Sequence, residues 1–323
     1  MNSAVTVIAC SICMLKKKLF IPSVMIKITD THQHLWDLEK LDLPWLDNVP
    51  ALKQGYLPAD YLKAAEGTEI YRTVYMEVDA HADHKQKEIE DMTLLCKSDE
   101  EIMQGIVISG NPGDSGFSEF MEFNFGNHYI KGVRQVLHTP EQPPKYCLST
   151  EFMQGIRELG KRGLLFDICI RPAELQDAVE LCLQNPETIF MLDHCGNADP
   201  YVINGQRRQD TSSLDSTFVH TRENWQEGIL QLGRLDNVYC KISGIISRAE
   251  AGWNSETLAP TVNACLDSFG EDRVVFGGDW PVCTLGASLS EWVVALRQIV
   301  HNRPKIQQEK LFHLNAKSLY NLE

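Results

Sequence analysis

The chain has 323 residues, is 43% hydrophobic and 23% charged, and carries a formal net charge of −14. That length and apolar content allow a sizeable core, and single α/β barrels commonly run to ~250 residues or more. The acidic balance argues against non-specific nucleic-acid binding, which needs basic patches.

The first 25 residues stand apart. Ala4 to Leu15 is mostly apolar and is followed by Lys16, Lys17 and Lys18. A secretory signal carries its positive charge before the apolar run, and a spanning helix needs ~20 residues. The reading is therefore no membrane segment, a poorly ordered extension over 1–25, one domain over 26–323, and a cytoplasmic location. The ten cysteines lie mostly in apolar runs, which suits reduced, buried thiols. Cys10 and Cys13 have C-x-x-C spacing, but no second pair follows, so the spacing reads as chance.

From Ile26 onward, apolar strand-like runs alternate with amphipathic helical stretches. The expected strands are Ile26–His34, Arg72–Val78, Met103–Ser109, Ile130–Leu137, Leu164–Ile170, Thr188–Asp193, Val238–Ile242 and Val274–Gly278. Ser149 is the expected N-cap of a helix carrying Phe152, Met153, Ile156 and Leu159 on one face. Trp225, Ile229, Leu230 and Leu232 mark a second helix. Val262, Cys265, Leu266 and Phe269 mark a third, and Trp292, Leu296, Ile299 and Val300 a fourth. Eight strands alternating with helices predict parallel pairing and a (β/α)₈ barrel. An open doubly wound sheet is the alternative, but no Gly-x-Gly-x-x-Gly follows an early strand.

In such a barrel the chemistry sits at the C-terminal ends of the strands. The first strand brings His32 and His34, two residues apart and so on one face. The second brings Glu77 and Asp79, with His81 and His84 in the following loop, and the fourth brings Arg134 and His138. Asp167 and Arg171 come from the fifth strand, Asp193 and His194 from the sixth, Lys241 and Ser243 from the seventh, and Asp279 from the eighth. His32, His34, His194 and Asp279 together suit one zinc ion, or manganese with more oxygen ligands. Without metal, the histidines could polarise a carbonyl while Asp279 takes a proton from water. Arg134 is costly to bury alone, so it meets either a carboxylate or a substrate. His81, His84 and His138 read as solvated or supporting residues.

Five segments carry a resemblance. They are Asp30–Asp37, Gly132–Leu137, Leu192–Gly196, Lys241–Gly244 and Phe276–Cys283, the last reading Phe-Gly-Gly-Asp-Trp-Pro-Val-Cys. In this order they resemble the amidohydrolase superfamily, and in particular its lactonase branch, which includes L-fuconolactonase and 2-pyrone-4,6-dicarboxylate lactonase. The resemblance implies a distorted (β/α)₈ barrel that hydrolyses the ester bond of a sugar or pyrone lactone. It places His32, His34 and His194 on the family's active-site histidines and Asp279 on its general base. Binuclear members carry a carboxylated Lys on the fourth strand and a His on the fifth. This chain has Arg134, and Asp167, Cys169 and Arg171, at those places. One divalent ion, zinc first, or none is therefore implied.

The expected substrate is a small-molecule sugar lactone. Arg134, Glu77, Trp36 and Trp280 are the candidate substrate contacts, and Arg171, Arg207 and Arg208 are further cations for a dicarboxylate. Alternatives are a pyrone-dicarboxylate hydrolase, a metal-dependent decarboxylase and a non-catalytic sugar-binding barrel. No nucleic acid or membrane partner is expected; a homo-oligomer is compatible with the sequence.

Overall fold

A computed structural model describes residues 25–98, 102–206 and 216–323. The expected extension, with Cys10 and Cys13, lies outside these residues apart from Met25, as do Arg207 and Arg208. Among the described residues eight parallel strands form one sheet in sequence order: β1 (Ile28–Gln33), β2 (Ile70–Met76), β3 (Met103–Ser109), β4 (Ile130–Val136), β5 (Leu165–Cys169), β6 (Phe190–Leu192), β7 (Val238–Ile242) and β8 (Val274–Phe276). The segment after β8 closes the ring on β1. Asp279 N–H donates to His32 O (2.8 Å), His34 N–H donates to Trp280 O (2.9 Å), and Gln33 bridges Trp280 in parallel. The architecture is the expected (β/α)₈ barrel.

β3 and β7 have the expected limits; β1, β4, β5, β6 and β8 are shorter, and β2 begins and ends two residues earlier than expected. β8 stops because Gly278 N–H turns from the ladder to the side chain of Asp30 (2.7 Å to Oδ1). At the end of β6 the backbone leaves extended geometry, with φ of +55° at His194 and +53° at Cys195. At His194 and Asp279 the positive φ ends the extended run and turns both side chains toward the barrel mouth.

The helices follow their apolar faces. Ser149 Oγ accepts Phe152 N–H at the start of Thr150–Lys161, which buries Phe152, Met153, Ile156 and Leu159. Arg222–Gly233 buries Trp225, Ile229 and Leu232. Leu230, expected on that face, is exposed, because one residue on from Ile229 is a turn of about 100° around the helix. Ser255–Phe269 buries Val262, Cys265, Leu266 and Phe269, and Leu289–Val300 buries Trp292, Leu296 and Val300.

Two cores result. The larger lies between strands and helices. The smaller joins Val74, Met76, Val107, Leu165, Met191 and Val275 of five strands to Ala316, Tyr320 and Leu322 of the C-terminal segment. Asn315 Nδ2 pins that segment to the entry of β8 by donating to Glu271 O and Val274 O (both 2.8 Å). Among the described residues the cysteines are free thiols, and all but Cys96 are buried. No helix among those residues is long and apolar enough to cross a membrane.

One glycine sets how closely the strand ends approach. A Cβ on Gly277 would stand 2.8 Å from His32 Cβ, 2.9 Å from Ser243 Cβ and 3.1 Å from Lys241 Cγ. The Gly277→Ala variant is expected to lose about 1–3 kcal/mol of stability in urea unfolding, the usual range for overpacking. Unchanged stability would show that these neighbours give way.

Candidate active site

The site begins with β1. His32 is fully buried and His34 nearly so, and their rings lie edge to face with centroids 4.8 Å apart. Both Nε2 atoms point at one oxygen, Asp279 Oδ1, at 3.7 Å from His32 and 3.5 Å from His34. Strand periodicity had placed the two imidazoles on one face, and they meet there.

His34 Nδ1 lies 2.9 Å from Met76 O. A backbone carbonyl only accepts, so Nδ1 carries the hydrogen and donates, and in the neutral ring Nε2 presents its lone pair. Asp279 reaches the same point from a left-handed backbone, φ +55°, held by its N–H on His32 O. A non-glycine residue in that region stores strain that the surrounding contacts must hold, and such residues gather at functional sites.

His194 arrives from the end of β6. Its Nδ1 meets Ser243 Oγ at 3.0 Å, and its ring centroid is 4.5 Å from that of His32. Gly244, at φ +70°, makes room, since a Cβ there would stand 2.4 Å from the imidazole. Burial lowers the pKa of His194 and, with Lys241, holds that of His32 well below the usual imidazole value. Both rings are therefore neutral near pH 7.

The metal-ligating atoms fall into two overlapping sets. One is His32, His34 and Asp279; the other is His32, Asp193 and His194; within each set the atoms lie no more than 4.8 Å apart. The four residues expected as one ligand set are thus divided, with His32 shared. Asp193, for which the sequence pattern suggests no role, belongs to the second. The first set fits a single cation: a lone pair from His34 faces a carboxylate oxygen with His32 alongside, and the tautomer of His34 is fixed from outside as ligating histidines usually are.

Arg134 meets a carboxylate. Its Nε donates to Glu77 Oε1 (2.5 Å) and its Nη2 to Glu77 O (2.8 Å), while Nη1 lies 3.6 Å from Asp193 Oδ2 and 3.4 Å from His32 Nε2. Glu77 Oε2 accepts Asp79 N–H (2.7 Å), so both of its oxygens are engaged. Below these groups, Lys241 is wholly buried, with Nζ 2.6 Å from Asp167 Oδ2 and 2.9 Å from Asp193 Oδ1. Burial pushes both acids upward. Asp167 is raised to about 7, whereas Lys241 and His32 hold Asp193 well below the carboxylate range.

The other candidates stand further out. Trp36 donates from its ring N–H to Gln54 O (2.6 Å) and packs edge-on against Trp45 and Tyr56; Trp280 does the same against Tyr56 and Tyr61. Both indoles are buried in this aromatic stack. Arg171 is bound to Thr139 O, Gln142 O and Glu174. His138 lies against the Phe218 ring, and burial with nearby Arg248 pushes its pKa down to about 3. His84 accepts Asp42 N–H, and His81 is exposed.

Comparison with known proteins agrees with this architecture. The amidohydrolase family model matches residues 29–322. An uncharacterised protein of Sinorhizobium fredii is 27% identical over 321 residues, covering 91% of this chain and 98% of that protein. L-Fucono-1,5-lactonase of Burkholderia multivorans is 25% identical over 270 residues, with 81% of this chain and 84% of the enzyme covered. The crystal structure of a zinc-bound amidohydrolase from Burkholderia multivorans superposes with a TM-score of 0.76 at 22% identity. That match covers 92% of this chain and all of the other.

Asp79 offers a stability test. It is half-buried at φ +50°, and burial followed by repulsion from Glu77 raises its pKa from 3.8 to about 6. A carboxyl with a raised native pKa opposes folding when ionised, fully above pH 6 and not at all below its unfolded pKa. Asparagine tolerates the same backbone. Asp79→Asn is therefore expected to be more stable than the parent by about 1–2 kcal/mol at pH 8, with the gap closing as pH falls to 4. Denaturant unfolding at both pH values measures this; a gap that grows on acidification contradicts it.

Proposed function

Because this chain belongs to the amidohydrolase family, matched from residue 29 to 322, we propose that it hydrolyses a sugar lactone by attack of water on the ring carbonyl. The observation that carries the reading is the convergence of two imidazole nitrogens on one oxygen of Asp279 at the barrel mouth. The likeness to an L-fucono-1,5-lactonase supports the choice of reaction and of an aldonolactone.

Asp279 orients the water and takes its proton, then returns that proton to the ring oxygen as the tetrahedral intermediate collapses. The oxyanion needs a donor. His34 does not supply it, because its only N–H is spent on Met76 O. His194 does: Ser243 Oγ is a hydroxyl that donates as well as accepts, so His194 Nδ1 can accept and leave Nε2–H free for the oxyanion. A preorganised donor of this kind contributes roughly 3 kcal/mol to the barrier. One divalent ion, zinc for this imidazole and carboxylate set, would be held by His32, His34 and Asp279, and when bound it supplies Lewis-acid polarisation and a more acidic water.

The charge distribution favours an uncharged lactone over a pyrone dicarboxylate. Lys241, Arg134 and Arg171 are each committed to a carboxylate of the protein. A dicarboxylate would have to displace those partners.

A panel of 1,4- and 1,5-aldonolactones, assayed by acid release, tests the proposal. The wild type is expected to hydrolyse at least one member, with Asp279→Asn slower by about 10²–10⁴-fold in kcat. Equal and slow rates for the two proteins on every lactone, or a preference for the pyrone dicarboxylate, would overturn it.

A further inference from the structure

Asp193 and Lys241 are buried ionisable groups to which the hydrolytic steps assign no work, yet they touch the shared histidine. Asp193 Oδ1 lies 3.5 Å from His32 Nδ1, and that nitrogen has no closer hydrogen-bond partner among the described residues. On the other side of the ring, Nε2 lies 3.4 Å from Arg134 Nη1. An ionised carboxylate only accepts, and a guanidinium only donates. The hydrogen of a neutral ring therefore belongs on Nδ1, and the lone pair on Nε2.

We infer that Asp193 is a positioning residue that fixes His32 as the Nδ1–H tautomer, and that Lys241 is the anchor that sets Asp193 in place. The ammonium binds the very oxygen that faces the ring, Oδ1, at 2.9 Å, and is itself held by Asp167 at 2.6 Å. β6, which leads into Asp193, is paired to β5 carrying Asp167 and to β7 carrying Lys241, so the three groups come from adjacent strands.

The consequence is a meeting of acceptors. His34 is locked in the same tautomer by Met76 O, so two lone pairs and Asp279 Oδ1 face one another at 3.5–3.7 Å. Three acceptors at one point call for a cation or a donor between them. Arg134 partly meets that need for His32; nothing comparable is bonded to Nε2 of His34 among the described residues. The tautomer lock therefore tunes the pair for ligation rather than donation.

The inference rests on His32 as a site residue but not on the lactone reaction, and its test does not read hydrolysis. Full-length protein with ¹⁵N-labelled imidazoles, stripped of metal, is observed by long-range ¹H–¹⁵N correlation, with His32 assigned by its loss in His32→Gln. The expected wild-type spectrum has His32 protonated on Nδ1. In Asp193→Leu, which removes the acceptor but leaves the Lys241–Asp167 and Arg134–Glu77 pairs intact, the hydrogen loses its partner on Nδ1 while Arg134 still faces Nε2, so the Nδ1–H population is expected to fall and an Nε2–H signal to appear. Zinc affinity, measured by calorimetry, should then fall by about tenfold or more. A wild-type His32 protonated on Nε2 overturns the inference, even if the leucine variant does not fold. So does a folded variant that keeps the Nδ1–H tautomer and binds zinc within twofold of the parent. A protein that passes this test and opens no lactone would refute the proposed reaction alone.

Discussion

The barrel mouth is organised around one buried ammonium. Lys241 sits wholly inside the barrel, and the cost of removing it from water is offset only because Asp167 and Asp193 both reach it within 3 Å. That constraint orders what lies above it. Asp193, fixed by Lys241, faces His32 and the far side of Arg134. Arg134, fixed by Glu77, closes the other flank of His32. Deleting one member of such a network typically costs 3–5 kcal/mol, because a buried charge is left without its partner. The charged layer is thus structural in origin, and its value to the site is that His32 has almost no freedom.

A second device is backbone strain at the strand ends. Asp79, His194, Cys195, Asn197 and Asp279 all have φ between +50° and +56°, and they follow β2, β6 and β8. Leaving the extended conformation there turns His194 and Asp279 toward His32, while Cys195 packs into the core. Gly244 and Gly277 supply the complementary space, beside His194 and beside His32, where any side chain would collide. Residues held out of their preferred geometry by a rigid ring of strands keep their positions without help from substrate, which is what preorganisation requires.

Much of this could be read from the chain. Alternating strand and helix patterns gave eight strands and the barrel, and β3 and β7 had their limits right because both are bounded by clear changes in pattern. The H-x-H spacing placed His32 and His34 together for a simple geometric reason. Asp279 was legible because two glycines and a proline mark an exit from a strand. The Lys241–Asp193–His32 chain was not. A lysine within a short strand carries no sign of whether it faces inward, and pairing between β6 and β7 is a tertiary fact. The tautomer of His34 depends on Met76 O, forty-two residues away, and no local pattern encodes it. Whether Arg134 meets a carboxylate or a substrate is not encoded locally either, because the turn of Glu77 toward it is a tertiary fact.

In the proposed reaction water, directed by Asp279, attacks the lactone carbonyl carbon. Single-turnover hydrolysis in H₂¹⁸O, followed by mass spectrometry of the acid product, tests it most directly. One ¹⁸O atom is expected, located in the carboxylate, with the hydroxyl released from the ring unlabelled. Label in that hydroxyl would mean cleavage on the alkyl side of the ring oxygen, and release of carbon dioxide in place of an acid would mean decarboxylation; either result contradicts the account.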